Sequence, residues 1–97
     1  MFVGTLECDL LLGDVRSLKQ KRAVVRPIVH GLRRFEVSVA EVGEQDVYRR
    51  ARIGVAVVGA DPARCRELLT QCERYVADRP EIELLGTGTR VFHTEDE

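Results

Sequence analysis

The 97-residue chain has no asparagine and no tryptophan, a single methionine, and only two serines, Ser17 and Ser38. Its three cysteines are an odd number without Cys-Xaa-Xaa-Cys spacing, which argues against a disulfide framework or a thiolate metal site. His30 and His93 lack metal-ligand spacing as well. There is no Gly-Xaa-Ser-Xaa-Gly elbow and no glycine-rich phosphate loop. Ser17 reads as a helix cap and Ser38 as a strand residue, so neither offers a nucleophile. No apolar run approaches the roughly 18 residues of a membrane span. Met1–Thr5 carries no basic side chain and meets Glu7 and Asp9 at once, unlike a secretory signal. These absences point away from an enzyme, a bound metal, a cofactor and a membrane. They lead us to expect a cytoplasmic protein.

What is present is an uneven charge distribution. The chain is almost neutral, with 15 basic and 16 acidic residues. Seven of the basic residues (Arg16, Lys19, Lys21, Arg22, Arg26, Arg33 and Arg34) fall between Val15 and Arg34, a stretch with no acidic side chain. Such segregation marks a surface for an anionic partner, and a solvated helix face is the plain alternative. The sequence pI of about 6.1 is low for a nucleic-acid-binding domain and weakens a polyanion reading.

The hydrophobic pattern gives one small domain over 1–92, with 93–97 as a charged, frayed tail. Phe2–Leu12 alternates as a long strand, with Leu6, Cys8, Leu10 and Leu12 on one side. Gly13-Asp14 ends it. Ser17 is the N-cap of a first helix from about Leu18 to Arg34, with Gln20 in the capping-box position. Leu18, Val25, Val29 and Leu32 share its apolar face. Pro27 and Gly31 allow a kink or an early end. Phe35–Val42 and Ala51–Val58 read as a hairpin of two strands. Asp61-Pro62 opens a second helix to about Asp78, whose apolar stripe holds Cys65, Leu68, Leu69, Cys72, Tyr75 and Val76. Cysteines in that stripe read as buried small hydrophobes. Glu81–Phe92 is a fourth strand, interrupted at Gly86-Thr87-Gly88. The order is βαββαβ, an α+β ferredoxin-like sandwich with a four-stranded antiparallel sheet and two helices on one face.

Phe35, Val37, Val39, Ile53, Val55 and Val57 are expected under the helices. The open face then carries Ser38, Ala40, Val42, Gly54, Ala56 and Val58. It has no central aromatics on which bases could stack, and Glu7 and Asp9 lie beside it, so it does not suit an RNA-recognition motif. Its small apolar residues suit packing against another sheet. Ala40, Val42, Gly54 and Ala56 are the expected interface of a homo-oligomer, a dimer in the first instance.

On the first helix Lys19, Arg22, Arg26, His30 and Arg33 form a ridge with spacings of three and four. Lys21 falls near the middle of the apolar face. Either it projects past the sheet edge, or its stem is buried and its amine snorkels out. With Arg16 and the free N–H groups of the helix start, Lys19, Lys21 and Arg22 could surround a phosphate. Arg49 and Arg50 add charge where the third strand begins. Glu41, Glu44, Gln45 and Asp46 read as a solvated turn before they read as a divalent-ion site. Acylphosphatases share this topology and use an arginine in the loop where Arg16 lies. They also use an asparagine, which this chain does not have.

The blocks Ser17-Leu18-Lys19-Gln20-Lys21-Arg22 and Phe35–Val42, followed by Gln45-Asp46 and Arg50-Ala51, resemble the YlxP-like family of small bacterial proteins, domain-of-unknown-function family 503. Gly54–Val58 and Glu81–Leu85 are similar to it too. The resemblance implies a ferredoxin-like fold, and no activity is established for the family. Its genes often lie beside those of translation-initiation and ribosome-maturation factors, which implies a ribosome-linked role. The expected function is thus a non-enzymatic accessory protein that binds RNA or the ribosome through its first helix. The alternative is a homo-oligomeric module for a small anion or a protein partner.

Overall fold

A computed structural model describes residues 1–96. The elements are β1 (Phe2–Leu12), α1 (Leu18–Arg33), β2 (Ser38–Gly43), β3 (Arg50–Gly59), α2 (Pro62–Ala77) and β4 (Ile82–His93), followed by a 3-10 turn at Thr94–Asp96. All strand pairs are antiparallel, in the order β2-β3-β1-β4. This is the expected α+β ferredoxin-like arrangement.

Period-two alternation builds the sheet. Leu6, Cys8, Leu10 and Leu12 of β1 are buried on one face with Ala51, Ile53, Val55 and Val57 of β3 and Val39 of β2. Val25, Ile28 and Leu32 of α1 and Cys65, Leu69, Cys72 and Val76 of α2 close the core from above. Capping chemistry starts both helices. Ser17 Oγ accepts from the Gln20 N–H at 3.1 Å, and Asp61 Oδ1 accepts from the Ala63 N–H at 2.9 Å, with Pro62 opening the helix. Gln20 Oε1 reaches back one residue past the cap, to the Arg16 N–H at 2.7 Å.

Several boundaries differ from expectation. α1 runs unbroken through Pro27. Gly31 has a packing role there, because a Cβ at this position would fall inside the phenol of Tyr75 on α2. β2 starts at Ser38 and not at Phe35. The N–H groups of Phe35 and Glu36 bond back to the carbonyls of Leu32 and Arg33, and Glu36 takes a left-handed φ of 61°. That exit consumes three residues before the chain can extend. β4 is continuous through Gly86-Thr87-Gly88, and its irregularity lies one residue earlier, at Leu85. His93 belongs to β4, and the Thr94 N–H bonds the Met1 carbonyl at 3.0 Å, so this part of the expected tail is tied to the sheet. Glu97 lies outside the described residues.

Candidate anion-binding surface

The α1 ridge forms as its spacing requires. Lys19, Arg22, Arg26, His30 and Arg33 are all exposed. Among the described residues none of them takes part in an ion pair; Arg22 Nε donates only to the Leu18 carbonyl, at 3.3 Å. Lys19, Ala23 and Pro27 follow one another at intervals of four, as do Arg22 and Arg26, so the two rows lie side by side. Ala23 and Pro27 are short and make the floor of a shallow groove of about 530 Å³, walled by Lys19, Arg22 and Arg26. Pro27 has no N–H, so the Ala23 carbonyl loses its helical donor.

The other expected cations do not gather with this ridge. Arg16 is exposed, and its Nε meets Asp14 at 3.1 Å, a surface pair of little energetic weight. Lys21 is a correction to the phosphate cluster. It is 3% exposed, and its Nζ donates to the Glu44 carbonyl at 2.6 Å and the Gln45 carbonyl at 3.4 Å while facing Glu41 Oε2 at 2.9 Å. Its three donors are thereby used inside the fold. Arg49 Nε donates to the carbonyls of Leu12 and Gly13 and so fastens the exit of β1. Arg50 is half-buried opposite Leu11 on the open sheet face, away from α1, with a buried Nε that has no hydrogen-bond partner among the described residues. Beside it Arg52 Nε donates to Asp9 Oδ1 at 2.8 Å, and this carboxylate raises the guanidinium pKa.

The acidic turn is explained by the same lysine. Glu41 pairs with Ile53 in the β2–β3 ladder and therefore points under α1, not into solvent. Among the described residues no group of three His, Cys, Asp or Glu side chains could hold a metal ion. No helix among them is long and apolar enough to cross a membrane.

The open face is assembled as the alternation implies. Ser38, Ala40, Val42, Gly54 and Ala56 line a shallow groove of about 370 Å³ with Thr5 and Glu7. Val42 is 50% exposed and Val58 62% exposed. Val42 leans across Gly54, where an added Cβ would come within 2.8 Å of its Cγ1. On the other side of the sheet the three thiols are free and buried. Burial, with Glu73, Cys72 and Asp9 nearby, pushes the Cys8 thiol up to about 12. Burial raises Cys72 too. Neither is a thiolate at neutral pH.

A family described as protein of unknown function (DUF503) matches residues 3–89. The chain belongs to this family. It is 34% identical over 91 residues to the uncharacterized protein YlxP of Bacillus subtilis (strain 168), covering 93% of this chain and 99% of that one. Among solved structures it is similar to LarC2, the C-terminal domain of a cyclometallase involved in the synthesis of the NPN cofactor of lactate racemase, in its apo form. That likeness has a TM-score of 0.46 and 13% identity, over 95% of this chain and 55% of the other.

Three features of the surface and its support escape a reading of the sequence by element. The Lys21–Glu41 pair joins a lysine that looked misplaced to a glutamate that read as part of a solvated turn. Tyr75 packs over Gly31 with Phe35 edge-on at 5.9 Å and the Arg79 guanidinium 4.1 Å above its ring. Gly4 lets α2 approach β1, since a Cβ there would meet Leu69 Cδ1 at 2.9 Å. For the first pair a signal exists: alternation from Val39 puts Glu41 on the helix-covered face, where only a buried cation could match it.

Proposed function

We propose that this protein is a non-enzymatic accessory factor that binds RNA, on the ribosome or in its maturation, through the ridge Lys19, Arg22, Arg26 and Arg33. The observation that carries the reading is the exposed basic row on α1, which makes no ion pair among the described residues. Arginines at spacings of three and four along a helix can follow successive phosphates, and contacts to phosphate supply affinity without base specificity. The lack of aromatics on the open face of the central strands β1 and β3 fits backbone binding better than base stacking. The test is RNA and ribosomal-subunit binding over a salt series. Wild-type affinity should fall steeply with salt, and Lys19→Glu/Arg22→Glu/Arg26→Glu should abolish most of it and flatten the salt slope. Unchanged affinity in the triple variant sinks the reading.

A second reading is a homo-oligomeric module that holds a small anion. Two observations favour it: the open face around Ala40, Val42, Gly54 and Ala56, and a groove over Ala23 and Pro27 short enough for one phosphate. Thermal-shift screening of nucleotides and phosphorylated metabolites separates the two. A small ligand that stabilises wild type but not the triple variant supports this reading over the first.

A further inference from the structure

The sheet has two edge strands, β2 with six residues and β4 with twelve, and the longer edge, β4, has no strand on its outer side among the described residues. An uncovered strand edge offers a row of backbone donors and acceptors for another strand. The ladder tells which ones. The Thr94 N–H bonds the Met1 carbonyl, and the Leu12 N–H bonds Arg49 on the β3 side. Antiparallel alternation then turns odd-numbered β1 residues toward β4 and even-numbered ones toward β3. Thr87, Thr89 and Val91 lie opposite Cys8, Leu6 and Gly4, so their own N–H and C=O groups point outward.

The side chains along this edge are self-complementary. Gly86, Gly88, Arg90 and Phe92 lie on the open face, opposite Asp9, Glu7, Thr5 and Val3. The two glycines leave a trough of about 350 Å³, with Glu7 and Asp9 along it. Asp9 is paired with Arg52, whereas Glu7 is exposed and in no ion pair among the described residues. Arg90 lies with its guanidinium 4.3 Å from the Phe92 ring centroid.

We propose that β4 pairs antiparallel with β4 of a second copy of this chain, about a two-fold axis at Thr89, to make one continuous eight-stranded sheet. In this register Thr89 faces its own copy and Thr87 faces the partner's Val91, so outward backbone groups meet outward backbone groups. On the open face the partner's Arg90 lies across Gly88, in the same row as Glu7. Two strand spacings, about 10 Å, separate the α-carbons of that arginine and Glu7, a span the two long side chains close. Gly88 places nothing between them. The partner's Phe92 covers Gly86, an aromatic side chain over a strand glycine. Each contact occurs twice, as a two-fold interface requires. Moving the axis to Arg90 would set two arginines face to face, and moving it to Gly88 would aim each arginine at the already paired Asp9.

The test is sedimentation of the full chain over a dilution series. Wild type should show a reversible monomer–dimer equilibrium. Thr89→Pro removes an outward N–H and no bond to β1, so it should remain folded and become monomeric. Glu7→Arg and Arg90→Glu should each weaken association about tenfold, because two pairs break per dimer. The double variant Glu7→Arg/Arg90→Glu should restore it. This swap decides the matter even if Thr89→Pro fails to fold. A wild type that stays monomeric throughout overturns the proposal. So does a double variant no better than the singles, or a dimer dissociated by Ala56→Arg on the open face and indifferent to the β4 changes.

Discussion

The two helices have the same length and opposite designs. Both span sixteen residues, both open on a side-chain cap, and both pack on the same face of one sheet. α2 covers β1, β3 and β4, and the residues it buries are Cys65, Leu69, Cys72 and Val76. α1 packs chiefly on the edge strand β2, and among the residues it buries is Lys21. The outer surface of α2 mixes signs, as in the Arg64–Glu67 pair at 3.0 Å, whereas the described contacts give the α1 ridge no such partner. α2 is therefore built as a structural element. α1 is anchored by one buried ion pair and leaves a one-signed surface outside. Under the proposed function, this difference gives stability to one helix and recognition to the other.

The sharpest way to break that comparison is to remove the α1 anchor. Lys21→Met should cost about 2–3 kcal/mol. That is near the low end for breaking a buried pair, because Glu41 keeps some contact with water. The Glu44 and Gln45 carbonyls lose their donor at the same time. Adding Glu41→Gln should recover part of the loss by removing the unpaired charge. Urea midpoints measure both. A neutral Lys21→Met would mean that α1 is held by its apolar face alone, as α2 is.

The fold was readable because its signals are local and redundant. Alternation in β1 and β3, the Ser17 and Asp61 caps and the order of elements all agree. The sheet faces followed from the same alternation. What stayed hidden depends on pairs far apart in the chain. Nothing near Gly31 announces Tyr75, and nothing near Phe35 announces the left-handed Glu36 that delays β2. Lys21 was legible as a misfit on an apolar face, but as a single residue it had two outcomes. Only the β2–β3 register, which sets Glu41 opposite Ile53, decides between them. The ridge was visible in full because exposed rows depend on helical spacing alone.

The buried thiols of the α2–β1 layer sharpen the other side of the comparison. The folded Cys8 thiol titrates near 12, against an ordinary value of 9.0. Below pH 9 both folded and unfolded chains keep the proton, and the stability this burial contributes is fully present. Between about 9 and 12 the unfolded chain releases the proton and the folded chain does not. Stability should thus fall with rising pH, by up to about 1.4 kcal/mol per unit from this residue. Denaturant titrations across that range should show the slope in wild type and a smaller one in Cys8→Ala. At neutral pH a thiol reagent should label all three cysteines only at the rate of unfolding. Fast labelling of Cys65 or Cys72 would show that the α2 layer opens locally.

The smallest expected effect has the most to say about why α1 looks as it does. Arg22 and Arg26 stand four residues apart on an exposed face, and His30 follows at the next interval. Like charges at that spacing destabilise a helix by a few tenths of a kcal/mol. A surface shaped for stability would alternate signs here, as α2 does with Arg64 and Glu67. Arg26→Glu should therefore leave the protein as stable or raise stability by up to about 0.5 kcal/mol at low salt, a gain that high salt screens out. The same change should weaken binding to RNA. Thermal melts at two salt concentrations, set beside an RNA titration of the same variant, measure the two effects together. A variant that loses stability and keeps its affinity would reverse the assignment, making the ridge part of the fold's own electrostatics. A variant that gains stability and loses affinity separates the two roles of α1. Its buried side is then under selection for folding, and its outer side holds unfavourable charge in place for a partner.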